Sequence, residues 1–149
     1  MAWLFDQQQC VGSLGFNGYG RASGRTSRGV WHLRRLGVLH HCITIVPVHR
    51  AHPPMMMRQA LTSDGTLDLA GDTPVTWRAL NCAPRAWAFE RRGDGTRLLT
   101  FVAEGDLHPE TSIHVSAAAR DLEDPTPLLL LGAYLVRLTV DDGAVIAGT

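Results

Sequence analysis

Four histidines and one cysteine lie close together in the sequence between residues 40 and 52, and such side chains are the usual ligands of zinc. They are His40, His41, Cys42, His49 and His52. Their spacing matches no standard zinc motif, and the alternation of side chains along a strand would place His40 and Cys42 on one face and His41 on the other. We therefore expect half-exposed strand histidines and a buried thiol. A metal site formed by His40, Cys42, His49 and His52 is the alternative.

A cysteine beside histidines is also the pair that a thiol enzyme uses, because the imidazole can remove the thiol proton. No GxSxG-like turn that would present a nucleophile is found in the sequence. We expect a protein without catalytic residues and without a cofactor. A metal-dependent or thiol enzyme that uses the cluster between His40 and His52 is the alternative function.

Arginines give the first quarter of the chain a basic character. Those with a candidate role are Arg21, Arg25, Arg28, Arg34 and Arg35. Because guanidinium groups bind phosphate bidentately, these residues form a candidate site for anionic lipid head groups. The alternative is a solvated tail followed by a charged strand face. Lysine is absent from the sequence, which excludes Schiff-base and P-loop chemistry.

The bulk properties are those of one globular domain. The chain has 149 residues, of which 45% are hydrophobic, and its formal net charge is zero. This neutrality argues against a nucleic-acid partner. Cys10, Cys42 and Cys82 lack the spacing of a disulfide framework, and Asp6 interrupts any apolar signal segment. We expect a cytoplasmic location, peripheral to the inner face of the membrane, with an anionic membrane surface or a protein as partner.

The pattern of residues divides the chain into a lead-in and one folded domain. Residues 1–28 are rich in Gly, Ser and Arg and predict a flexible lead-in. From residue 29, alternating apolar residues separated by Gly and Asp turns predict antiparallel strands. Residues 50–60 contain Pro53 and Pro54 and predict a loop, in which Met55, Met56 and Met57 cover one end of the domain.

The last element is a helix predicted over residues 127–140. Asp124 or Thr126 can cap its first turn, and Pro127 suits the first helical position. The segment is apolar all round except for Arg137, so the helix must be buried on every side. Its 14 residues would extend about 21 Å, which is too short for a bilayer core of about 30 Å. We expect no transmembrane span but a helix enclosed by the strands, with Arg137 at the barrel mouth.

The order of these elements resembles the tubby-like β-barrel group, which includes the LURP-one-related and phospholipid scramblase-like proteins. The features that carry the resemblance are strands marked by Trp31, Trp77 and Trp87, Gly-Asp-Gly turns, and the apolar segment at residues 129–135. The chain looks most like uncharacterised bacterial members of that group, over about residues 29–140. The resemblance implies an antiparallel β-barrel around a central C-terminal helix. The chain departs from the group in length, because a full barrel of this type has about twelve strands and the ordered region here predicts about eight to ten, so we expect an incomplete barrel. Tubby proteins bind phosphoinositides through basic residues, but no lysine–arginine pair matches that site here.

Overall fold

The computed structural model describes residues 2–6, 8–18, 20–37, 41–49, 54–59, 64–69, 73–82, 85–104, 110–122 and 124–147. Within these ranges the chain forms eleven strands followed by two helices. The strands are β1 (Ala2–Asp6), β2 (Gln9–Phe16), β3 (Arg21–Thr26), β4 (Gly29–Leu36), β5 (Cys42–Pro47), β6 (Met55–Gln59), β7 (Gly65–Leu69), β8 (Thr73–Cys82), β9 (Arg85–Arg91), β10 (Arg97–Glu104) and β11 (Glu110–Val115). The helices are α1 (Ala117–Arg120) and α2 (Thr126–Ala147).

All eleven strands belong to one antiparallel sheet in which each strand pairs with the next in the sequence. Within the described residues no pairing joins β1 to β11, so the sheet is an open barrel. Helix α2 packs against β2, β3, β4 and β10, which lie towards both ends of this order. The prediction of a mainly antiparallel, incomplete barrel around an apolar C-terminal helix is confirmed.

Side-chain alternation along the strands decides which residues face the helix. In β4, Trp31 and Leu33 are buried while His32 and Arg34 are exposed. The same period of two continues in β5, where Ile43 and Ile45 are buried. The core therefore lies on the inner face of the sheet, and His32 and Arg34 are on the outer face.

Helix α2 begins where its sequence predicts. The amide of Thr126 donates to Asp124 Oδ1 at 3.0 Å, so Asp124 caps the first turn. Nearly all its large side chains up to residue 138 are buried, and Arg137 is exposed as predicted. The helix ends at Ala147, seven residues after the predicted residue 140, because Asp141 and Asp142 end the apolar segment but are tolerated within a helix. No helix in the described part of the chain is long and apolar enough to cross a membrane.

Residues 1–28 do not form the predicted flexible lead-in, since they contain strands β1, β2 and β3. The prediction was wrong because it took the glycines as a sign of flexibility. Gly24 lies in β3, where a Cβ atom would stand 2.8 Å from Leu130 Cδ1 of α2. Glycine is present here because the helix and the strand approach each other closely.

The prediction of a loop over residues 50–60 is wrong for its second half, which forms β6. The prolines do not prevent this, because Pro54 precedes the strand, and a proline is tolerated there. Met57 is buried in the core opposite Leu67, whereas Met56 is exposed. The three methionines are therefore part of the sheet and do not form a loop over its end.

A buried hydrogen bond connects α2 to the turn before β3. Tyr134 Oη donates to the carbonyl oxygen of Gly20 at 2.6 Å, and the Tyr134 ring stacks on Phe16. The same carbonyl accepts from the amide of Arg35 at 2.8 Å. We expect Tyr134→Phe to lower the free energy of unfolding by about 1 kcal/mol, since one of two bonds to this oxygen is lost while the ring remains.

Urea denaturation measures this loss, with Tyr134→Leu as the comparison. The leucine variant also loses the stacked ring, so its loss should be about 2–4 kcal/mol. Equal stability of Tyr134→Phe and the unmodified chain would mean that the hydrogen bond contributes nothing.

Candidate anion-binding surface

The outer face of β3 and β4 carries three of the predicted arginines. Arg21 and Arg34 are direct partners across the two strands, and both are exposed. Arg25 is four residues from Arg21 on β3, about 13 Å along the strand on the same face. Arg21, Arg25 and Arg34 are called the basic face below. Like charges directly opposite each other destabilise a sheet, so this arrangement favours a counter-anion.

Polar side chains that can also bind an anion lie between these arginines. Ser23 and His32 are cross-strand partners, and Ser23 Oγ is 3.1 Å from His32 Nδ1. Asn17 Nδ2 donates to the same Ser23 Oγ at 3.0 Å. Because Ser23 accepts from Asn17, its own hydroxyl hydrogen can be donated to the imidazole. This small network fixes the orientation of the side chains at the centre of the basic face.

The basic face lies in a segment without any acidic residue. No Asp or Glu occurs between residues 7 and 63, and seven arginines do: Arg21, Arg25, Arg28, Arg34, Arg35, Arg50 and Arg58. The whole chain has 14 arginines and 14 acidic residues, so this segment has a formal charge of +7 and the remainder has −7. Strands β2 to β5 lie entirely in the positive segment, and the zero net charge conceals this separation.

Three arginines of the second half of the sheet, Arg78, Arg91 and Arg97, are paired with carboxylates. Glu90 Oε1 is 2.9 Å from Arg78 Nε, and its Oε2 is 3.4 Å from Arg97 Nη2. Asp94 accepts from the amide of Thr96 at 2.9 Å and lies 3.3 Å from Arg91. The Thr96 amide, with a smaller contribution from Arg91, lowers the pKa of the Asp94 carboxyl below its usual value. These three arginines thus have carboxylate partners within the chain.

The structure separates the other two predicted arginines from the basic face. Arg28 lies in the turn between β3 and β4, with its Nη1 3.7 Å from Asp124 Oδ1, which also caps α2. Arg35 lies between exposed Arg34 and Leu36, and alternation places it on the side of β4 that faces inward. The five arginines therefore do not form a single patch.

Arg58 is a residue that the sequence reasoning missed. It is exposed on β6, opposite Cys42, on the same outer face as Arg34. The signal that would have found it is the absence of acidic residues up to Asp64. Predicting residues 50–60 as a loop hid its position in the sheet.

The structure places two members of the histidine–cysteine cluster far apart. Cys42 begins β5 and is half-buried, whereas His49 is exposed beyond the other end of that strand. The ends of β5 are about 16 Å apart, while ligands of one zinc ion lie within a few ångströms of each other.

The remaining members of the cluster add no shared site in the described ranges. The backbone oxygen of His41 accepts from the amide of Gln59, which connects the start of β5 to β6. His40 and His52 lie outside the described residues. Within those that are described, no group of three or more His, Cys, Asp or Glu side chains could hold a metal ion. A site that includes His40 and His52 stays a prediction.

Comparison with known proteins does not place the chain in a family. No protein-family model, curated protein or solved structure matches it. The resemblance to the tubby-like group therefore stays a prediction.

Proposed function

We propose that this protein is a non-enzymatic binding module whose basic face binds the anionic head groups of a membrane. The proposal rests on one observation: Arg21 and Arg34 stand directly opposite each other on a surface whose four strands, β2 to β5, contain no acidic residue. Guanidinium groups bind phosphate bidentately, and the head groups of an anionic membrane present phosphate at high density. A tubby-like or scramblase-like barrel is the family we propose for it.

The arrangement supports binding to a surface. The three arginines span about 13 Å along an exposed strand face, so a single phosphate cannot contact all of them. Several head groups of a bilayer can do so at once. Each arginine near an anionic membrane contributes about 1 kcal/mol, which falls when salt screens the charges.

Vesicle sedimentation tests the proposal. We expect the chain to sediment with vesicles that contain phosphatidylglycerol and not with pure phosphatidylcholine vesicles. Replacing Arg21, Arg25 and Arg34 by glutamine should weaken the partition coefficient roughly 100-fold, at about 1 kcal/mol for each arginine. Raising the salt concentration should also weaken binding of the unmodified chain, because salt screens the charges.

The matched control replaces Arg92, Arg97 and Arg120 by glutamine. These three arginines are also exposed, and the change in net charge is the same, but none lies on β2 to β5. Equal weakening by both triple variants would mean that only net charge matters, and the basic face would lose its role. Thermal unfolding of both variants checks that the fold is retained.

A further inference from the structure

The side chains of Trp3 and Phe5 are the most exposed large apolar groups of the described chain, at 59% and 62%. Both lie on β1, the strand at one edge of the sheet. The residue between them, Leu4, faces inward and packs against the core. The strand therefore uses one side for folding and presents two aromatic rings to water on the other.

Strand register places Trp3 in line with the basic face. Trp3 pairs with Ser13 on β2, and Ser13 pairs with Arg25 on β3. Side chains in one such row point to the same face. Neighbouring strands are about 4.8 Å apart, so the Cα atoms of Trp3 and Arg25, two strands away from each other, are about 10 Å apart. An aromatic edge and an arginine surface are thus contiguous.

Apolar side chains also border the basic face on its other side. Val46 is the cross-strand partner of His32, and Val48 donates its amide to the Val30 carbonyl at 2.9 Å. Met56 is the partner of Thr44, which in turn pairs with Arg34. All three are at least 43% exposed. Exposed apolar side chains therefore border the basic face on both sides.

We infer that the chain docks on the bilayer surface with Trp3 and Phe5 inserted at the boundary between head groups and acyl chains. This inference rests on the proposed function and adds the depth and orientation of binding. A soluble phosphate compound would need only the arginines, and the aromatic rings would have no part in its recognition. A membrane interface uses both, because tryptophan partitions to the head-group level while arginine pairs with phosphate.

Tryptophan fluorescence tests the inference directly. Trp31, Trp77 and Trp87 are at most 6% exposed, so Trp3 is the tryptophan whose surroundings a membrane can change. With phosphatidylglycerol vesicles that carry brominated acyl chains, we expect a blue shift and quenching of emission. The variant Trp3→Phe should lose both signals and keep its affinity within about threefold, since an apolar ring remains. Quenching in Trp3→Phe equal to that of the unmodified chain would overturn the inference.

A second variant measures the contribution of the rings to affinity. Trp3→Ser/Phe5→Ser should weaken sedimentation with these vesicles about 10-fold to 100-fold, because two large apolar groups no longer leave water. The dependence of its binding on salt should not change, since the arginines are intact. Unchanged affinity in this variant would overturn the inference, provided that thermal unfolding shows a retained fold.

The two proposals fail in different ways. If binding depends on Arg21, Arg25 and Arg34 but Trp3 emission does not change on vesicles, the proposed function stands and insertion is wrong. If the unmodified chain does not sediment with anionic vesicles, the proposed function fails and the insertion fails with it.

Discussion

Replacing Leu131 by aspartate is expected to abolish folding. Leu131 is 0% exposed near the middle of α2, where the helix packs against strands towards both ends of the sheet order. A carboxylate there would lose its hydration without gaining a partner, at a cost of several kcal/mol. It would also remove an apolar side chain whose burial contributes about 1.5–3 kcal/mol. The sum is comparable with the whole stability of a domain of this size, about 5–15 kcal/mol.

Circular dichroism, size-exclusion chromatography and soluble yield measure this outcome. Leu131→Met, which keeps the volume and the apolar character, should fold with a loss below about 1.5 kcal/mol. Val46→Asp places the same charge on the exposed outer face of β5 and should also fold. A folded Leu131→Asp variant would mean that the sheet does not need the helix as its core, as expected if α2 were an anchor.

The second large effect is expected at Gly132, whose backbone touches an aromatic ring. A Cβ atom at this position would overlap Cζ of Phe101 on β10. The ring is confined by Trp77 and Phe89, whose centroids are 5.6 and 6.1 Å away. We expect Gly132→Val to lower the free energy of unfolding by about 3 kcal/mol, because overpacking outweighs the few tenths of a kcal/mol gained from helix propensity.

A double-mutant cycle with Phe101→Leu isolates this contact. The smaller side chain removes the ring atoms nearest to Gly132, so Gly132→Val should cost less in that background. Urea midpoints of the four variants give the coupling energy. An equal cost in both backgrounds would assign the effect of valine to the helix itself and would contradict close packing against the ring.

Residue types alone predict that the candidate site is basic, but they do not predict which arginines form it. Arginine abundance near the N-terminus predicts an anionic partner, and the structure does place Arg21, Arg25 and Arg34 on one surface. The structure also assigns Arg28 to a contact with Asp124, nearly 100 residues away in the sequence. No local pattern contains that pairing, because it depends on where α2 begins relative to the turn between β3 and β4.

The sequence does not predict the exposed aromatic side chains of Trp3 and Phe5, for a related reason. Trp3 and Phe5 lie in a segment that reads as an irregular lead-in, because its glycines lower strand propensity. Strand β1 is formed by its pairing with β2. Strand β3 accommodates Gly24 because the side chain of Leu130 fills the space that a side chain at position 24 would occupy. Pairing and close approach are contacts between distant segments, and they override local preference.

The sequence by itself determined the antiparallel strands after residue 29 except β6, the cap of the helix at Asp124 and the burial of that helix. These follow from periods of two and from an apolar segment too short for a bilayer, which are local properties of the chain. The tertiary structure decided that strands β1 to β3 belong to the sheet and which arginines share a face. The physical reason is register: one residue of shift moves a side chain from the core to the surface, and register is set by partners far away in the sequence.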